Sequence, residues 1–127
     1  MGLDMYLIAA HNIKECKKAN FWRDLPDFSE IELYSENYDY NKPAILVYWR
    51  KFWELHKFLM NEEEIEDHDN GVWIEVNKER LEKIINFAAH HPDYGDSFDS
   101  LPQLCITLYN YDKLRENGLR LFYEGDY

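Results

Sequence analysis

The sequence predicts an α+β fold: a small, mainly antiparallel sheet with three helices packed on one face. Three observations carry this expectation. Apolar residues alternate with a period of two at both ends of the chain, they recur at three- and four-residue spacing in the middle, and 127 residues suffice for one core but not two. Residues 1–127 are therefore read as a single α+β domain. A hydrophobic content of 46%, with 4 Trp, 10 Tyr and 7 Phe, separates the chain from disordered polymers, which lack the apolar surface to offset the entropy of folding.

The first element is a strand over Leu3 to Ala9, where Leu3, Met5 and Leu7 alternate with Asp4, Tyr6 and Ile8. Residues 10–43 are long for a loop and are expected to hold a short strand near Ile31 to Tyr34 or a functional excursion. From Ala44, the residues Ile45, Trp49, Phe52, Trp53, His56, Leu59 and Met60 follow i, i+4, i+7, i+8 spacing and predict a helix, with Pro43 in its first turn. Its outer face would carry the pairs Arg50–Glu54 and Glu54–Lys57. Asn61 to Asn70 reads as a solvated acidic loop ended by Gly71. Val72, Ile74 and Val76 predict a second short strand. Asn77 then caps a helix bearing Leu81, Ile84, Ile85 and Ala88, which stops before Pro92. Residues 92–100 are turn chemistry. A third helix, capped by Asp99 or Ser100, has Pro102 in its first turn, Leu101, Leu104, Cys105 and Leu108 on its core face, and Gly118 as terminator. Leu119, Leu121 and Tyr123 alternate in a last strand.

Charge narrows the function classes. Acids outnumber bases 25 to 14, a formal net charge of -11, which is the wrong sign for counterion-release binding, so no direct nucleic-acid partner is expected. No apolar run reaches the roughly 18 residues of a membrane span, and the N-terminus lacks the basic start of a signal peptide. No membrane partner is expected, and the localisation is read as cytoplasmic, with Cys16 and Cys105 reduced.

Motifs for chemistry are sparse. His90, His91, Asp93 and Asp96 are metal-ligand types, but adjacent histidines on a helix diverge, and a solvated helix terminus explains them. Glu66 to Gly71 superficially matches a calcium loop, yet the register places Asn77 where the bidentate Glu must stand. No phosphate-cradling glycine loop, nucleophile elbow or Cys-x-x-Cys occurs, so neither a metal nor a cofactor is expected. His56, within an apolar stripe, is read as a packed core histidine with one nitrogen on a backbone carbonyl; the functional alternative makes it a ligand or general base. Acids concentrate instead, with seven between Glu54 and Asp69 against one lysine. Tyrosines stand among the acidic stretches. Tyr34, Tyr38, Tyr40, Glu62, Glu63, Glu64, Glu66, Asp67 and Tyr94 form the candidate partner-binding set, an acidic, aromatic surface suited to a basic groove on another protein.

Three blocks carry a resemblance: Met1-Gly2-Leu3-Asp4-Met5-Tyr6-Leu7 at the start, Tyr48-Trp49-Arg50-Lys51 followed by His56, and Leu121-Phe122-Tyr123-Glu124 near the end. Together the chain resembles a group of small phage and prophage proteins of unknown function. The resemblance implies one scaffold made of the first strand, the first helix and the last strand, with Asp4, Arg50 and His56 as its polar positions. The ending Gly125-Asp126-Tyr127 departs from the Trp-ending tail of that group. The phage setting implies a non-enzymatic protein that binds host machinery in the bacterial cytoplasm, such as an anti-CRISPR or other anti-defence inhibitor. The alternative expectation is a small-ligand-binding protein or enzyme with a site at Asp4, Arg50 and His56, and a homodimer is a further possibility.

Overall fold

A computed structural model describes residues 4–14, 44–50, 52–63, 72–90 and 95–126. In chain order the elements are β1 (Asp4–Ala10), β2 (Ala44–Arg50), α1 (Trp53–Glu63), β3 (Val72–Val76), α2 (Lys78–Ala89), α3 (Gly95–Tyr109), α4 (Tyr111–Glu116) and β4 (Arg120–Asp126). The four strands form one antiparallel sheet in the order β2-β1-β4-β3, so the two terminal strands lie side by side at its centre. The α+β class holds, with four helices among the described residues rather than three.

Alternation along the strands sorts side chains to two faces. Met5, Leu7 and Ala9 of β1, Val47 and Trp49 of β2, Ile74 and Val76 of β3, and Leu121 and Tyr123 of β4 meet the helices in one core. Each of the four helices contributes to that core, through Leu55 and Leu59 of α1, Leu81 and Ile84 of α2, Leu104 of α3 and Leu114 of α4. Tyr6, Ile8, Ala10, Ile45 and Phe122 form a second apolar cluster on the opposite face, with Trp73 against it. Phe87 of α2 stacks on Phe58 of α1 with ring centroids 4.8 Å apart and also meets Phe52, which ties these helices together.

Residues 44–50 are a strand and not the first half of a helix. Ile45 and Trp49 satisfy helical spacing, but Val47 and Trp49 also satisfy a two-residue period, and backbone pairing with β1 decides between them. Leu7 pairs with Val47 and Ile8 with Ile45, so Leu46 is the extra residue of a β-bulge and joins Val47 in the helix-side core. Pro43 thus precedes a strand. The expected Arg50–Glu54 helix pair falls away because Arg50 ends β2 and α1 starts at Trp53. Asn61 to Glu63, expected in a loop, complete α1. The expected strand at 31–34 lies outside the described residues.

The Asn77 cap is present, its Oδ1 accepting from the Arg80 amide at 2.7 Å. α3 begins at Gly95, earlier than the turn signals imply, which leaves Pro102 inside the helix where it can donate nothing to the ladder. Gly118 terminates α4 rather than α3. Its φ of 83° lets Gly118 donate to the Arg115 carbonyl at 2.9 Å and Leu119 to the Leu114 carbonyl at 3.0 Å, a Schellman closure with Leu114 and Leu119 buried together.

The inward face of α3 differs most from expectation. Ser100, Leu104 and Thr107 are buried, as is Asn110 just past its last residue, whereas Cys105 is exposed and Leu101 and Leu108 are only partly buried. Thr107 Oγ1 donates to the Gln103 carbonyl at 2.7 Å and Asn110 Nδ2 to the Ile106 carbonyl at 2.9 Å. These polar side chains are satisfied by carbonyls of α3, so turning them inward leaves their donors bonded.

Candidate functional site

His56 is fully buried on the inner side of α1, between the helix and the end of β4. Its Nδ1 lies 2.6 Å from the hydroxyl of Tyr123, itself fully buried, and the direction of this hydrogen bond follows the imidazole tautomer. Trp53 packs edge-on to the imidazole with centroids 6.0 Å apart. His56 is a core histidine by its burial, and the partner of its Nδ1 is a phenol. Gly125 makes the arrangement possible. A Cβ there would sit 2.8 Å from His56 Nδ1 and Cε1 and from the Tyr123 hydroxyl, so only a residue without a side chain leaves room for the pair.

The other predicted polar positions lie across the sheet. Asp4 and Arg50 are register partners at one end of the β1–β2 ladder. Tyr48 donates to Asp4 Oδ1 at 2.6 Å, and its ring lies 5.3 Å from that of Tyr6, a member of the cluster opposite the helices. Asp4 and Arg50 are therefore brought together with Tyr48, while His56 is on the helix side with Tyr123. A chemical step shared by Asp4, Arg50 and His56 would have to pass through the sheet, and with no exposed surface His56 meets no solute in this fold.

Of the candidate partner-binding residues, Glu62 and Glu63 close α1, which has no basic residue in its last turn. Tyr34, Tyr38, Tyr40, Glu64, Glu66, Asp67 and Tyr94 lie outside the described residues. His90 Nδ1 lies 2.7 Å from the Asn86 carbonyl at the end of α2, in the helix-terminal role expected of it; His91 and Asp93 are outside the described residues. Among the described residues no group of three His, Cys, Asp or Glu side chains is placed to hold a metal ion, and no helix is long and apolar enough to cross a membrane.

Sequence reasoning missed the Tyr123 partner of His56 and the outward exposure of Tyr109 at 87%. Tyr123 is legible as an inward residue of the last strand; only the central place of β4 in the sheet brings it to α1. Tyr109 gives no signal, because a tyrosine after a run of apolar residues reads as core.

Fold and geometry together define a small α+β protein whose helices cover one face of an antiparallel sheet around a buried imidazole–phenol pair. Comparison with protein-family models, curated proteins and solved structures finds no match.

Proposed function

We propose that this chain is a non-enzymatic binding protein of phage or prophage origin, active in the cytoplasm of a bacterial host. It docks an acidic, tyrosine-bearing surface on a basic surface of a host protein, as an anti-CRISPR or other anti-defence inhibitor would. The observation that carries the reading is the charge: -11 in all, with seven acids and one lysine between Glu54 and Asp69. A like-charged surface of this kind steers association with an oppositely charged groove and speeds encounter.

Placement on α1 supports it further. Glu62 and Glu63 stand in the final turn of the helix, which contains no basic residue, at the end where the macrodipole disfavours carboxylates. The burial of His56 and its engagement with Tyr123 also favour binding over catalysis at that residue.

The test compares the native chain with a variant carrying Glu62→Gln, Glu63→Gln, Glu64→Gln, Glu66→Gln and Asp67→Asn. Binding to host proteins, and inhibition of the partner so identified, are followed over a salt series. The expected outcome is a stoichiometric partner whose association slows as salt rises and is lost in the variant. A partner inhibited equally by both chains would overturn the reading.

A further inference from the structure

The sheet face opposite the helices is apolar at its middle and mixes aromatic rings with carboxylates toward the start of β1. Ile8, Ala10 and Phe122 are buried there, whereas Asp4, Trp73 and Glu124 are half-buried and Tyr48 is 45% exposed. Strand register sets Tyr48 beside Tyr6, Tyr6 beside Glu124 and Glu124 beside Trp73, a single row across all four strands, with Asp4 two residues before Tyr6. Neighbouring strands are about 4.8 Å apart, so the row spans about 15 Å. The Tyr48 hydroxyl donates to Asp4 Oδ1 at 2.6 Å, and its ring lies against that of Tyr6 with centroids 5.3 Å apart. The same face already holds a cation in such a setting. Arg120 places its guanidinium 5.8 Å from the centroid of the Phe122 ring and pairs with Glu75, the register partner of Phe122. One ring and one carboxylate from the neighbouring strand hold one guanidinium.

From this we infer that the Asp4 end of the outer sheet face is a docking site for an arginine side chain of a partner protein, whose guanidinium lies on the Tyr48 ring and pairs with the Asp4 carboxylate. Docking there rests on the proposed association with a basic host protein and adds the side chain recognised. Charge selects a cation. Among the described residues at this end of the face, Asp4, Glu124 and Asp126, the register partner of Asp4 on β4, stand against the single base Arg50. The ring faces favour the same sign, because the π-system is negative above and below its plane. Arginine suits the site better than lysine, since a planar guanidinium stacks on a ring while its N–H groups reach a carboxylate beside it, as Arg120 does further along the face. Asp4 has acceptor capacity for this, because a carboxylate offers about four lone-pair sites and the Tyr48 hydroxyl takes one. Partial burial of Asp4 and Glu124 also reduces the screening that weakens fully exposed pairs. Arg50, exposed at the end of β2, repels an arriving guanidinium and so limits the affinity.

Titration of the full chain with N-acetyl-arginine amide, followed through the tyrosine ring resonances in its NMR spectrum, tests the site before any partner is in hand. The expected result is movement of the Tyr48 and Tyr6 resonances with a Kd on the order of 10–100 mM, while those of Tyr109, exposed on the helix side, stay in place. The citrulline amide, neutral and of the same shape, is expected to move none of them. Tyr48→Ala and Asp4→Asn, each folded by circular dichroism, are expected to weaken binding by about fivefold, and Arg50→Gln to tighten it about twofold. Equal shifts with the citrulline amide, shifts at Tyr109 as large as those at Tyr48, or an affinity unchanged by both Asp4→Asn and Tyr48→Ala would overturn the site. A host partner lost in the five-residue acid variant but bound unchanged by Tyr48→Ala would overturn the inference and leave the proposed function standing. A partner lost in Tyr48→Ala but retained by the acid variant would do the reverse.

Discussion

His56 Nδ1 and the Tyr123 hydroxyl lie 2.6 Å apart in a core where neither side chain reaches solvent, joining the first helix to a strand residue 67 positions further along the chain. A buried polar pair costs little while both members are present and much when one is removed, because the survivor keeps its desolvation penalty. Tyr123→Phe and His56→Phe are each expected to lower stability by about 1–3 kcal/mol in urea denaturation. The double variant should cost less than the sum, since it leaves no orphaned polar group, and the cycle should return a coupling of about 1 kcal/mol or more. Strict additivity would show that the two groups do not depend on one another.

Gly125 is expected to be intolerant for a steric reason. Gly125→Ala places a methyl 2.8 Å from three atoms of the His56–Tyr123 pair, and both rings are fully buried. Overpacking of this kind costs about 1–3 kcal/mol. In a spectrum of the folded variant the imidazole resonances of His56 should move, whereas those of the surface residue His90 should not.

Gly118 is a second glycine with a definite task, and its task is backbone conformation. At a φ of 83° an alanine is strained, although the nearest atom to its Cβ would be His11 Cδ2 at an unstrained 3.8 Å. Gly118→Ala is therefore expected to cost about 1 kcal/mol through the left-handed geometry alone. Gly118→Asn should recover part of the loss, because asparagine tolerates that region.

Pro102 stands inside α3 on its exposed side. An interior proline is about 3 kcal/mol less favourable than alanine, and its loss returns about 1 kcal/mol of freedom to the unfolded chain. Pro102→Ala is expected to raise stability by about 2 kcal/mol, read as a higher denaturation midpoint with an unchanged slope. If the midpoint falls instead, the ring is making contacts that outweigh the missing hydrogen bond.

Elements whose apolar period is unambiguous are legible in the sequence. β1, β3, α2 with its Asn77 cap, and β4 fall within a few residues of the positions that alternation, helical spacing and capping indicate. Where two periods fit the same residues, the pattern does not choose between them. Ile45, Val47 and Trp49 suit a strand or a helix, and only the neighbouring β1, paired across the bulge at Leu46, makes the strand the stable answer. The candidate residues divide in the same way. Asp4 and Arg50 are register partners on neighbouring strands, whereas the sequence pattern puts Arg50 on a helix. No spacing could bring His56 to them, because alternation assigns the two faces of the sheet and His56 packs from the helix side.

By itself the sequence determined that this is an acidic, aromatic-rich α+β protein, that its terminal segments are strands, and that Gly118 ends a helix. Those properties follow from local geometry and composition, which act within a few residues. Tertiary structure decided that the two terminal strands are central neighbours, that His56 is matched with Tyr123 under Gly125, and that α3 turns Ser100 and Thr107 inward. The physical reason is that a periodic pattern names the faces of an element, whereas which face is buried depends on whether its polar groups find partners in place. For Thr107 and Asn110 the partners lie one turn back along the chain, and Pro102, Cys105 and Tyr109 are left exposed.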